Sequence, residues 1–280
     1  DFSLFIGVSM SVTAFPVLAR IIRDLGLNGS PKAAMTLACA AVDDVSAWCL
    51  LALISSIATA EGGRVAWTIL LTIVFLMGMI FVLRPILRRL SLRMEKGRLG
   101  CEPFTIIMLL LLVAAWSTSI IGIHALFGAF ILGVLIPSDS RLASQLNERL
   151  EHLATTLFLP VFFAFTGLRT QLDLLNGIEA WLLTLTVLLL AVLGKIGGTA
   201  LAARVTGSSW RDAFAIGSLM NTRGLVELIV LNVGLDLALI SPKLFSILVF
   251  MALFTTYITG PMLNLAWKRG ENSLPAGLVG

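Results

Sequence analysis

The sequence predicts an all-α polytopic membrane protein. Three observations carry that prediction. Hydrophobic residues make up 58% of the 280-residue chain and charged residues 13%, at a mean hydropathy of +0.98, whereas soluble domains carry about 25% charged residues. Apolar stretches of roughly 18 residues or more recur from end to end. Lys and Arg gather on alternate sides of those stretches. The stretches are continuous rather than alternating, which excludes a transmembrane β-barrel.

Nine spans are expected, at 3–22, 31–60, 64–90, 101–119, 123–137, 153–169, 178–203, 212–232 and 244–267. The fifth is short for a crossing. The linkers between them are short and carry breakers: GLNGSPK at 26–32, EGG at 61–63, IPSDS at 136–140 and VTGSS at 205–209. These contain the Gly, Pro, Asn and Ser that punctuate helices. The chain opens on DFSLF, with no Met and no charged leader region. An N-terminal portion is expected to precede residue 1.

Orientation follows from the basic residues. The loop RPILRRLSLRMEKGR, 84–98, holds six and is expected in the cytoplasm. Alternation then places Arg20, Arg23, Lys32, Arg141, Arg149, Arg204, Arg211, Lys268 and Arg269 on the same side, fifteen in all. The opposite side receives only Arg64, Arg169 and Lys243. The C-terminus is expected to be cytoplasmic and the protein to sit in a bacterial cell membrane. This bias accounts for the formal charge of +4, so no nucleic-acid partner is needed. The three cysteines, Cys39, Cys49 and Cys101, have neither metal nor disulfide spacing.

Five ionisable residues fall inside spans: Asp43, Asp44, Lys195, Arg223 and Glu227. A charge in the bilayer core costs at least about 2.5 kcal/mol and stays only if paired, hydrated or functional. At 1.5 Å per residue, Asp43 lies about 18 Å from the cytoplasmic end of its helix. Lys195 and Arg223 fall at comparable depth, and Glu227 is one turn beyond Arg223 on the same face. Arg223 and Glu227 fit a structural ion pair better than a transport role. The aspartates are harder to explain structurally. Adjacent helix residues point about 100° apart, so one cation does not neutralise both. The expected arrangement pairs Lys195 with one aspartate and leaves the other facing a water-filled cavity.

Two spans contain helix breakers. SVTAFPVLAR, 11–20, places Phe15-Pro16 in mid-span, and proline clashes with the carbonyl four residues back. GSLMNTRGLVEL, 217–228, places Asn221, Thr222 and Gly224 in mid-span. Interrupted spans in corresponding positions of two halves are the pattern of an inverted-repeat transporter. Spans 178–203, 212–232 and 244–267 form a plain–broken–plain triplet. Spans 3–22 and 31–60 form the broken–plain part of another, of opposite orientation.

The run SVTAFPVLARII, followed by AAVDDVSAWCLLA, GKIGGTALAARV and SLMNTRGLVELIVLNVGL, resembles the monovalent cation:proton antiporter-2 family, of sodium/hydrogen exchanger type. It is nearest the branch of plant cation/proton exchangers and their bacterial relatives. The likeness covers essentially the whole chain, and the ordered set of motifs is highly specific. It implies one partial sodium/hydrogen exchanger transmembrane domain over 1–280. Its core helices would lie at about 1–60 and 178–267, with intervening helices at about 64–169. The implied fold has two inverted triplets crossing at broken helices, an elevator-like motion and a homodimer. In the family the second aspartate, here Asp44, exchanges the cation for protons. The first, Asp43, pairs with the lysine, here Lys195, and Thr13 lines the site. Many plant members have Asn-Asp at the pair, whereas this chain keeps both acids. Where relatives read Arg-Gly-Glu, this chain has Arg223-Gly224-Leu225-Val226-Glu227, which leaves the role of Glu227 open.

The implied function is exchange of Na⁺ or K⁺ for H⁺, with no cofactor and no metal beyond the transported cation. Desolvation favours a neutral carboxylate and a nearby ammonium favours a charged one. A proton and a cation then compete for one group, and a proton released by Lys195 would add a second to the exchange. Rival readings are a cation channel, an uncoupled transport-related membrane protein, an intramembrane aspartyl protease, and a receptor or scaffold. A channel needs a filter-like ring of carbonyls or charges, and none is visible. Two catalytic aspartates must face each other and share a proton, which neighbours on one helix cannot do. No enzyme is expected. A receptor or scaffold leaves the charged cluster unexplained. His124 and His152 read as interfacial residues.

Overall fold

A computed structural model describes residues 2–24, 31–59, 65–93, 101–137 and 140–268. Helices are the regular structure found among them. In order they are α1 (Phe2–Ser11), α2 (Phe15–Asp24), α3 (Pro31–Thr59), α4 (Val65–Gly78), α5 (Arg84–Arg93), α6 (Cys101–Ile121) and α7 (Ala125–Leu135). Then come α8 (Arg141–Leu153), α9 (Leu159–Arg169), α10 (Ile178–Val192), α11 (Gly198–Val205), α12 (Trp210–Met220), α13 (Leu225–Asp236) and α14 (Pro242–Lys268). Single π-helical turns at Met79–Leu83, Ala154–Phe158 and Leu193–Gly197 join α4 to α5, α8 to α9 and α10 to α11. The expected linker residues 26–30 and 61–63, the distal part of the basic loop (94–98), Arg64 and Arg269 lie outside the described residues.

The protein is an integral, multi-pass membrane protein. Seven of the described helical segments are long and apolar enough to cross a bilayer: Phe2–Asp24, Ala33–Ile54, Trp67–Leu92, Pro103–Ile121, Arg141–Arg169, Ile178–Val205 and Pro242–Leu263. The pair α12 and α13, bent by 50°, makes an eighth. The expected fifth span, 123–137, is the 11-residue α7. At 1.5 Å per residue that is about 16 Å, short of a hydrocarbon core of about 30 Å. Two boundaries also move. The span expected at 153–169 is helical from Arg141, and the one expected to end at 90 continues to Arg93. Both extensions are polar amphipathic turns, so hydropathy alone does not register them.

The chain divides into two compact units, Trp48–Leu168 and Phe2–Ala47 with Arg169–Gly280. In the first, Leu87 of α5 packs with Met79, Ala114 and Leu132, and the Trp48 and Phe130 rings stack at 5.6 Å. Here α6 and α7 approach so closely that a Cβ on Gly128 would collide with the Ala114 carbonyl. In the second, Leu18 and Ile22 of α2 pack with small residues of α3 (Ala33, Ala40), α11 (Ala200, Ala203) and α12 (Ala213, Ala215). Small side chains are what lets helices approach closely without a hydrophobic drive from water. Ser209 caps α12, accepting from the Asp212 N–H at 3.1 Å.

Candidate ion site

Every residue expected at the ion site (Thr13, Phe15, Pro16, Asp43, Asp44, Lys195, Asn221, Thr222, Arg223, Gly224 and Glu227) lies in the second unit. The first of two backbone breaks is Val12–Ala14, between α1 and α2. It sits where Pro16 requires it, because the carbonyl four residues back belongs to Val12. Pro16 itself is the second residue of α2, where its missing N–H has no intrahelical partner to lose. The second break is Asn221–Gly224, between α12 and α13.

The two breaks satisfy one another. Ala14 donates its N–H to the Thr222 carbonyl at 3.0 Å. The Thr13 hydroxyl donates to the carbonyl of Met220, the last residue of α12, at 3.1 Å. Polar backbone opened at membrane depth must find partners inside the protein or in water, and here each break supplies the other. Gly224 makes the crossing possible: a Cβ there would stand 2.8 Å from Val17 Cγ2 and 3.1 Å from Ala14 Cβ.

The C-terminal carbonyls of α1 meet two cations. Arg223 donates to the Ser9 carbonyl at 3.2 Å and to the Met10 carbonyl at 2.6 Å. Lys195 donates to the Ser11 carbonyl. Such a helix end carries partial negative charge, which cations offset. Each cation also holds an acid. Arg223 Nη1 donates to Glu227 Oε1 at 2.9 Å, and both side chains are 0% exposed. Lys195 Nζ lies 2.8 Å from Asp43 Oδ2. Lys195 is carried on the π-turn Leu193–Gly197, a local widening of the helix that often marks functional positions.

Asp44 takes a different partner. Its carboxylate faces the backbone N–H of Phe15, at the N-terminus of α2, and the positive end of a helix favours an anion there. Its Oδ1 is buried and has no partner among the described residues. Asn221 Oδ1, Glu227 Oε2 and Arg223 Nε are in the same position. Asn221 uses its Nδ2, donating to the Thr255 carbonyl at 3.3 Å, and Thr222 bonds the Leu219 carbonyl within its own turn. An open cavity of about 220 Å³ reaches Lys195 past Gly7, Met10 and Ser11 of α1 and Leu190, Ala191 and Gly194.

Sequence reading passed over two contributors. The carbonyls of Ser9, Met10 and Ser11 carry no side-chain signal. Thr256 of α14 accepts from the Arg223 N–H at 2.9 Å, and the pair Thr255-Thr256 in an otherwise apolar span was visible as a polar interruption.

Residues 2–269 match the profile of the sodium/hydrogen exchanger transmembrane family. The Na⁺/H⁺ antiporter NhaS4 of Synechocystis is 43% identical over 266 residues, which is 93% of this chain and 64% of that protein. Cation/H⁺ antiporter 18 of Arabidopsis thaliana is 40% identical over 279 residues, 99% of this chain and 34% of its own length. K⁺/H⁺ antiporter 1 of Saccharomyces cerevisiae is 38% identical over 271 residues, 95% of this chain and 31% of its own length. The chain thus spans less than two thirds of each of these relatives.

Proposed function

Because this chain belongs to the sodium/hydrogen exchanger transmembrane family, we propose that it forms the ion-translocating part of an antiporter that exchanges Na⁺ or K⁺ for H⁺, with Asp44 as the exchanging group. One observation carries the site: Lys195 takes Asp43, while Asp44 keeps a buried oxygen without a partner among the described residues. Asp43 is neutralised by its ammonium. Asp44 therefore presents the negative charge that a monovalent cation or a proton can cancel, and the two exclude each other. Thr13 Oγ donates to Met220 and keeps lone pairs to offer a desolvated cation. The breaks make the site a discontinuity in two helices, so it can face one side of the membrane at a time. Alternating access, the inverted repeat and a homodimer belong to this reading.

The relatives named as Na⁺/H⁺ and K⁺/H⁺ antiporters support exchange over a channel, and they leave both cations as candidates. The test uses the full-length protein in proteoliposomes holding a pH-sensitive dye. Addition of Na⁺ or K⁺ is expected to move protons in wild type and not in Asp44→Asn. Proton movement that survives Asp44→Asn refutes the site. Cation flux without proton movement favours the channel.

A further inference from the structure

We propose that the cavity between α5 and the C-terminal end of α7 binds the phosphate of an anionic phospholipid. This inference concerns the first unit and does not rest on the transport reading. The cavity measures about 740 Å³, with Arg84, Pro85 and Arg88 on one side and residues 134–137 on the other. Arg84 and Arg88 are exposed and four residues apart on one helix face. Leu87 fixes that face, because its fully buried side chain is locked against Ala114 and Leu132. Among the described residues, neither arginine side chain has a hydrogen bond or ion pair. Among the described residues the opposite wall, Val134, Leu135, Ile136 and Pro137, is apolar and brings no acid.

Depth selects the ligand. Arg84 stands 17 residues after Trp67, where the apolar helix begins, or about 26 Å along its axis, near the edge of a hydrocarbon core of about 30 Å. A guanidinium at that edge stands at the level of the lipid headgroups. The neighbouring surface is apolar and open: Phe81 is 66% exposed, Val82 62% and Ile86 51%. That is the profile of a surface lying along acyl chains. A lipid phosphate already resides at this level with its tails beside it. A free phosphate must shed water to arrive. Two guanidinium forks suit phosphate oxygens better than point charges do, and anionic lipids enrich the leaflet that positive segments face.

The experiment takes the full-length protein in neutral detergent and follows thermal denaturation with added phosphatidylglycerol, phosphatidylcholine or inorganic phosphate. Phosphatidylglycerol is expected to raise Tm more than phosphatidylcholine does in wild type and in Arg89→Gln, which changes the adjoining residue outside the cavity. The extra shift is expected to vanish in Arg84→Gln/Arg88→Gln and to shrink in Arg88→Gln alone, which serves if the double variant does not fold. Equal shifts from the two lipids overturn the proposal. So does an undiminished shift in Arg88→Gln. A shift reproduced by inorganic phosphate overturns the lipid and assigns the cavity to a soluble anion.

Discussion

Lys195 Nζ lies 2.8 Å from Asp43 Oδ2 and also donates to the carbonyl of Ser11, the last residue of α1. One ammonium thus ties α3, the π-turn after α10 and the end of the first broken helix. The Lys195 and Asp43 side chains are 12% and 20% exposed, so water screens the pair only in part. Lys195→Gln and Asp43→Asn are each expected to lower Tm. Their combination is expected to cost less than the sum, with a coupling of about 1–2 kcal/mol. A double-mutant cycle in detergent measures it. Strict additivity would remove the pair from the account.

Competition between H⁺ and the cation at Asp44 has a kinetic signature. Lowering pH on the cation-loading side is expected to raise the apparent KM for the cation, with the maximal rate at saturating cation unchanged. Initial rates across a cation series at several pH values decide this. A falling maximal rate at constant KM would place the proton elsewhere.

Arg223 stands in a tighter position. It holds Ser9, Met10 and Glu227 with its side chain and Thr256 with its backbone. Removing one partner of a buried ion pair costs roughly 3–5 kcal/mol. Arg223→Ala is expected to reach that range, because it strands Glu227 and two α1 carbonyls together. Glu227→Gln keeps an oxygen for Arg223 and is expected to cost much less. Thermal denaturation of the two variants side by side ranks them, and the reverse order would contradict the network.

Gly217 of α12 lies against the π-turn that carries Lys195. A Cβ there would stand 2.7 Å from the Ile196 carbonyl oxygen, and backbone cannot swing aside as a side chain can. Gly217→Ala is expected to cost about 1–3 kcal/mol as an overpacked contact. It is also expected to impair exchange, since Ile196 adjoins Lys195. Wild-type transport in a correctly folded Gly217→Ala protein would show that the π-turn tolerates displacement.

Much of the fold was legible because the bilayer imposes one rule on every span. Apolar length marked the crossings, and Pro16 located the first break within four residues. The failures have a shared cause. Residues 91–93 and 141–152 are helical although polar, and α7 is apolar although short, because helix formation and membrane crossing are different properties that hydropathy conflates. At the site, the identities of the charged residues were legible and their pairing was narrowed. Lys195 was expected to take one aspartate; the spacing did not say which, and the family resemblance named Asp43, the partner it has.

The sequence by itself determined that five ionisable side chains lie within membrane-spanning segments, and that two spans are interrupted near them. It could do so because charge, proline and glycine act locally, and their cost in a bilayer does not depend on the partner. The resemblance already implied Lys195 with Asp43, and only the tertiary structure decided who else satisfies whom: Thr13 with Met220, Ala14 with Thr222, and Arg223 with the end of α1. Those partners are remote in sequence, up to 214 positions apart for Arg223 and Ser9. Most of them are backbone groups, which every residue carries alike and no sequence pattern marks.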